Sequence, residues 1–282
     1  MSSTLREETG ASSLPKPFYG RPWSGEQRNA AHALWIWYSR IPEIVADRFD
    51  AEVALDWCSS AAEMVEAQHQ PDFIDDEIWS GVEDACRQFD LSFGLLGEQL
   101  KAAHVYAGSV RFADAAALQE YIRQHPFAHA RLLAQLGEVD YTWQQNAIED
   151  LARAFFITNH LAHLPRDLER DRLFLPLQSL RNAGVSEQQL RDGTLDKPLR
   201  NVLWKFQVRA RDAYAQGQSL LNDLPWWFRG PFKRAWLGGL EVLRMIERRD
   251  YDVWTHEIEF SMWQRIQIFF QALAGRTTFR SS

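Results

Sequence analysis

Apolar residues recur along most of this chain at three- and four-residue intervals, the spacing that lines one face of an α-helix. Over residues 25–41 they are Ala30, Ala33, Leu34, Trp37 and Ile41, and Pro42 then interrupts or kinks the helix. Residues 49–69 repeat the pattern with Val53, Leu55, Trp57, Ala61, Met64 and Val65, up to a break at Pro71-Asp72. Residues 75–103 interleave acids with Ile78, Val82, Phe89, Phe93, Leu96 and Leu100, which predicts a further helix. A connector over 104–112 leads into a helix over 113–137, with Pro126 inside and Gly137 at its end. From Trp143 to Leu177 the pattern predicts one long helix. Its apolar side carries Ile148, Leu151, Phe155, Leu161 and Leu164, while Asn159, His163 and Asp167 fall four apart in a polar stripe. Such a stripe in a buried helix is costly unless something pairs with it. Ser186 is placed to cap a short helix at Glu187–Arg191. Helices over 197–222, 231–248 and 254–273 complete the chain. No stretch sustains two-residue alternation, so the expectation is an all-α fold of about eight or more helices in one domain.

Composition adds a large aromatic interior. Hydrophobic residues make up 46% of the 282, with 12 Trp and 17 Phe, which excludes disorder over most of the length. Residues 1–17, ending in Leu14-Pro15-Lys16-Pro17, and residues 276–282 read as tails around a folded domain at 18–275. The formal charge of −7 argues against a nucleic-acid partner held through phosphates. Cys58 and Cys86 show no metal-ligand spacing, so a reducing, cytoplasmic compartment is the simplest expectation. Residues 1–13 lack the apolar core of a secretory leader, and no apolar run is long enough to span a bilayer. Trp226-Trp227-Phe228 suits either a membrane-interface belt or packing at a helix junction; packing is preferred, and peripheral membrane contact through residues 226–232 stays open.

The polar residues admit more than one chemistry. Glu43 and Asp47 share a face if their helix continues, and taken alone they read as a solvated carboxylate pair. Arg166, Arg170 and Arg172 follow the Asn159/His163/Asp167 stripe. His125 and His129, like His163 and Asp167, have the four-residue spacing that suits zinc or iron, with His160 close by. The plainer reading puts His125 beside a proline kink and His160 on an apolar face. No glycine-rich phosphate loop or Gly-x-Ser-x-Gly elbow is present.

Several of these residues resemble the motifs of the squalene/phytoene synthase family. Thr158-Asn159, Asp167 and Arg170-x-Arg172-Leu173-Phe174-Leu175-Pro176 resemble its T-N-x-x-x-D-x-x-x-D and following R-x-R-I/V-Y-L-P. Ala183-Gly184-Val185-Ser186 resembles the A-G-V-S loop, and Arg209-Ala210-Arg211 with Tyr214 the R-A-x-x-Y helix. Leu224-Pro225, Ile246-Glu247 and Tyr251-Asp252-Val253 fall in the family's places, and Arg40-x-x-Glu43-x-x-x-Asp47 lies where it has R-x-x-D-D-x-x-D. The likeness runs over roughly residues 18 to 273 and is nearest the bacterial hydroxysqualene/squalene synthase branch.

The resemblance implies an isoprenoid synthase-like helical bundle around a central cavity, with acid-bearing helices facing each other. It implies prenyl transfer between prenyl diphosphates of C15 or longer, in squalene/hopanoid or carotenoid synthesis. Glu43, Asp47 and Asp167 would then hold Mg²⁺ through hard oxygen ligands. Arg40, Arg131, Arg170 and Arg172 would hold diphosphate, Asn159 would orient a ligand, and His163 would act as a base or hydrogen-bond donor. The sequence departs from that pattern. His163 replaces an acid, Ile44 stands where a second adjacent acid is usual, and Phe174 replaces Tyr. Ala102 replaces another expected acid. S-x-N-P-x-G-R has become His125-Pro126-Phe127-Ala128-His129-Ala130-Arg131. Imidazole is a poor substitute for an oxygen ligand to Mg²⁺. Two readings therefore stand beside each other. One is a prenyltransferase. The other is a catalytically degenerate relative that binds a prenyl or lipid ligand, or serves as an assembly factor.

Overall fold

The computed structural model describes residues 23–139 and 141–273, with the backbone alone at 141–143, 222 and 273. The two expected tails lie outside the described residues. Within them the fold is an all-α, isoprenoid synthase-like bundle, and extended pairing is limited to the isolated parallel bridge between Val110 and Arg172.

The first helix, α1 (Gly25–Arg48), starts on a capping box in which the Ser24 hydroxyl accepts from the Gln27 backbone N–H and Gln27 reaches back to Ser24. It runs through Pro42 without ending there. A proline inside a helix removes one backbone bond, and burial of Leu34, Trp37, Ile41 and Val45 offsets the loss. Next come α2 (Ala51–Glu66) and α3 (Asp76–Phe89). The helix expected over 75–103 is two helices. Asp90 takes a left-handed conformation at φ 52°, the chain turns, and α4 (Phe93–Ala103) begins.

The expected 113–137 helix is likewise divided. α5 (Ala115–Ile122) passes into a π-turn at Arg123–Phe127, which takes up Pro126, and α6 (Ala128–Leu136) follows. Gly137 does end it, although the left-handed residue is Glu138, at φ 52°.

The long helix expected from 143 to 177 is shorter than the pattern implies. α7 (Tyr141–Ala162) stops before His163, which is non-helical at φ −113°, ψ 21°, and α8 (Leu164–Glu169) restarts the helix for six residues. Pro165 is the physical reason: it has no N–H for the carbonyl of Leu161, and its ring crowds that carbonyl. Asn159, His163 and Asp167 therefore straddle a helix break and do not form one stripe. Beyond it lie α9 (Leu177–Ala183), α10 (Glu187–Arg191), α11 (Lys197–Gln216), α12 (Leu220–Asp223), α13 (Trp226–Arg248) and α14 (Met262–Leu273). Ser186 caps α10 as expected, accepting from the Gln189 N–H. α13 begins five residues earlier than the pattern gave, and α14 eight later.

α11 packs along α7, α2 along α4 and α1 along α3, while the π-turn lies between α4 and α7, α6 packs against α1, α4 and α7, and α5 rests on α7. α11 and α13 meet at Gly239, where the Tyr214 hydroxyl stands 1.9 Å from the position a Cβ would take. No helix among the described residues is long and apolar enough to cross a membrane.

Candidate functional site

The residues singled out by sequence lie on α1, on α6 and around the α7–α8 break. On α1, Arg40 and Glu43 form an exposed ion pair of 2.6 Å, and Asp47, one turn on, is exposed. Around the break, Asp167 is buried at 5% exposure, and its carboxylate meets Nδ1 of His160 at 2.6 Å. His163 Nδ1 lies 2.9 Å from the Asn159 carbonyl oxygen. Burial, with Arg166 nearby, pushes the His163 pKa down. The Asn159 side-chain amide nitrogen is buried without a hydrogen-bond partner.

The arginines are held in different ways. Arg131 lies 3.5 Å from Glu98 and over the ring of Phe127. Arg170 is exposed. The guanidinium of Arg172 lies 4.9 Å from the ring centroid of Tyr106, close enough for a cation–π contact. A clamp fixes this last segment. Arg111 donates to Asp171 and Glu187, Arg191 donates to Asp171, and the Val110 and Arg172 strands pair. Bonds from Ser109 and Arg111 hold the Asp171 carboxyl down to about 2.

Between the two acid-bearing regions lies a buried hub of rings. Tyr38 of α1 packs against both His125 and His129, each with centroids 4.4 Å apart. Tyr106 and Tyr121 share a hydrogen bond of 2.6 Å, and the Tyr121 hydroxyl lies 3.4 Å from His125 Nδ1. On the far side Phe174 lies against His160, centroids 3.8 Å apart, with Phe156 beside both. Desolvation pushes His125 and His129 down to about 3 and raises Tyr106 and Tyr121. Those four side chains are thus uncharged near neutral pH. Gln99 of α4 is fully buried, and neither end of its amide has a hydrogen-bond partner.

The imidazoles do not assemble into the transition-metal cluster that their spacing allowed. His125 and His129 stack on Tyr38, His160 engages Asp167, and His163 engages a backbone carbonyl. Among the described residues no three His, Cys, Asp or Glu side chains stand together as a metal-binding group. That holds for the Glu43, Asp47 and Asp167 set as well. Sequence reasoning missed Tyr38, Gln99, Tyr106 and Tyr121 altogether. The one available signal was Tyr121 four residues ahead of His125, a pair that faces one way on a helix.

Open space lies elsewhere. A narrow hollow of about 60 Å³ is lined almost wholly by carbon, from Trp23, α6, α7, α12 and α13. Leu133, Ile148, Leu151, Phe155 and Phe228 form much of its wall, while the small residues Ala134, Gly137 and Ala152 leave it room. That volume is well below the range of about 300–1,000 Å³ usual for small-molecule sites, so a ligand would have to widen it. A second, open groove lies between α5, α7 and α11, with Arg153, Arg209 and Asp212 on its edges.

The sequence profile of the family described as squalene/phytoene synthase matches residues 23–264. The phytoene synthase of Thermus thermophilus is 27% identical over 215 residues, covering 70% of this chain and 74% of that protein. The presqualene diphosphate synthase of Zymomonas mobilis is 30% identical over 121 residues, covering 42% of this chain and 40% of that protein. In three dimensions, a dehydrosqualene synthase crystallised with a ligand superposes with a TM-score of 0.75 at 15% identity, covering 96% of this chain and 92% of that one. The squalene synthase HpnC of Alicyclobacillus acidocaldarius gives 0.71 at 17% identity, covering 83% and 88%. At these identities the structural likeness speaks to the fold.

Proposed function

Because this chain belongs to the squalene/phytoene synthase family, we propose that it keeps the family's capacity to take up a prenyl chain and has lost metal-assisted diphosphate ionisation. The observation that carries this reading is the separation of the two ends of the expected site. The narrow hollow beside α6 and α7 is lined almost wholly by carbon, the surface that an isoprenoid tail needs. The carboxylates meant for Mg²⁺ are dispersed: Glu43 pairs with Arg40, Asp47 faces solvent, and Asp167 is taken up by His160. Mg²⁺ requires near-octahedral oxygen ligation, and this donor set does not fit it. The ligand class that suits the remaining chemistry is a prenyl alcohol or another isoprenoid lipid, held by burial of apolar surface at about 25 cal/mol per Å².

The catalytic reading, a prenyltransferase acting on prenyl diphosphates, keeps one observation in its favour. Glu43 and Asp47 remain one turn apart on α1, and Arg131, Arg170 and Arg172 are all present. Thermal unfolding of the full chain separates the two. We expect farnesol or geranylgeraniol to raise Tm without metal, Mg²⁺ to add nothing, and Ala134→Phe to remove the shift by filling the hollow. The milder Ala152→Leu should weaken the shift measured against that variant's own unliganded Tm. Stabilisation only by Mg²⁺ together with a prenyl thiodiphosphate, accompanied by turnover of the parent diphosphate, would restore the catalytic reading.

A further inference from the structure

The groove between α5, α7 and α11 holds about 330 Å³, several times the volume of the apolar hollow. That lies within the range of about 300–1,000 Å³ usual for small-molecule sites. It is also a separate space. The hollow takes Ile148, Leu151, Ala152 and Phe155 from α7, whereas the groove takes Arg153 and Ile157. At 3.6 residues per turn these two sets point to opposite sides of the helix. α7 is the floor of the groove, and α5 and α11 are its walls. Its apolar surface comes from Leu118, Ile122, Ile157, Phe206 and Ala213, each at 5% exposure or less.

The polar groups at its edge divide into engaged and unengaged ones. Arg153 pairs with Asp150, and Gln119 donates to Glu149 at 2.9 Å. Arg211, on α11 but outside the groove, pairs with Glu247. Arg209 and Asp212 differ from these. Both are exposed and both line the groove, yet neither makes an ion pair or a side-chain hydrogen bond among the described residues. An arginine and an aspartate three apart on a helix are neighbours, with Cβ atoms about 5–6 Å apart, and such charges ordinarily pair with each other. Here they do not. A cation and an anion thus stand side by side above an apolar floor.

A ligand that answers both must carry a carboxylate and an ammonium close together, with an apolar body behind them. A guanidinium takes a carboxylate through two parallel hydrogen bonds, and an aspartate accepts from an ammonium. A fatty acid brings only the first group, an amine only the second, and a peptide end one or the other. A free α-amino acid brings both on one carbon. We propose that the groove is a binding site for a free α-amino acid with a large apolar side chain. Its carboxylate meets Arg209, its ammonium meets Asp212, and its side chain lies over Leu118, Ile122, Ile157 and Phe206. The site stands apart from the prenyl-binding reading and does not rest on it.

The test is isothermal titration of the full chain with L-phenylalanine, 3-phenylpropionate and 2-phenylethylamine. L-phenylalanine is expected to bind saturably. Each analogue lacks one of the two charged groups and should bind at least about tenfold more weakly. Arg209→Gln should weaken L-phenylalanine about tenfold and leave 2-phenylethylamine unchanged, while Asp212→Asn should weaken L-phenylalanine about tenfold and leave 3-phenylpropionate unchanged. Ala115→Trp, at an exposed position on the α5 wall, should close the groove to all three. All three substituted residues are exposed, and a wild-type Tm shows that each variant keeps its fold. No saturation by L-phenylalanine up to about 10 mM, which excludes a Kd of about 1 mM or tighter, overturns the proposal. So does equal binding of the three compounds, or undiminished binding of L-phenylalanine by both charge variants. The Tm shift with farnesol reads the hollow on the other side of α7, so either idea can fail without the other.

Discussion

Asp167 and Asp47 belong to the two acidic motifs, yet their surroundings assign them different physical roles. Asp167 is buried and bonded to His160, so Asp167→Ala leaves an imidazole without its partner in a dry setting. The expected cost is about 1–3 kcal/mol of stability. Asp47 is exposed, and Asp47→Ala should change stability by less than about 0.5 kcal/mol. Urea unfolding of the two variants measures both. Equal, small effects on stability, joined by equal loss of a Mg²⁺-dependent activity, would instead make them paired metal ligands. The sequence offered no means of seeing this difference, because the surroundings of Asp167 are set by tertiary packing: Tyr106 lies close enough to feel its charge, and its partner His160 lies against Phe174.

At the level of the helices, what was readable and what was not can be traced to particular residues. Periodicity located α1, α2 and the start of α11, and Ser186 announced α10, since these signals are local. The break at His163 was also local, as Pro165 stood in plain view. The four-residue rhythm of Asn159, His163 and Asp167 outweighed it because a rhythm of polar residues survives a one-residue break almost unchanged. Asp90 and Glu138 take left-handed conformations that no side chain demands, and the split of 75–103 was correspondingly unreadable. The close approach of α11 and α13 was invisible for a different reason: it joins Tyr214 to Gly239 and Thr158, distant in sequence. It is also testable. Gly239→Ala drives a methyl into the Tyr214 hydroxyl, and overpacking of this kind costs about 1–3 kcal/mol. The double variant Gly239→Ala, Tyr214→Phe should recover part of that loss in the same unfolding assay. No recovery would mean that the helices do not meet there.

Taken as a whole, the molecule buries two imidazoles in a hub of rings between α1 and α7, and this makes its stability sensitive to acid. His125 and His129 are held near 3 in the fold, against an ordinary value of 6.5. Between those values the unfolded chain binds protons that the folded chain refuses, so stability must decline as pH falls from about 6.5 toward 3. Tyr38 packs against both imidazoles, Tyr106 and Tyr121, raised by burial, stay neutral throughout that range, and Asp171, held near 2, loses its bonds only below it. The denaturation midpoint should therefore fall steadily between pH 7 and pH 4, and His129→Gln should flatten that slope. A midpoint indifferent to pH over that span would place both histidines in water.

The bond between His160 and Asp167 has a consequence for the history open to this protein. His163→Asp alone would set a second acid beside one whose Oδ2 is already bonded to His160, so it would restore the letters of the motif while that oxygen stays engaged. Removing His160 alone would strand Asp167 in an apolar seam and weaken the fold while restoring nothing. On the prenyl-binding reading, a return to metal chemistry would need two changes on neighbouring turns, and the arrangement would work as a ratchet against reversal.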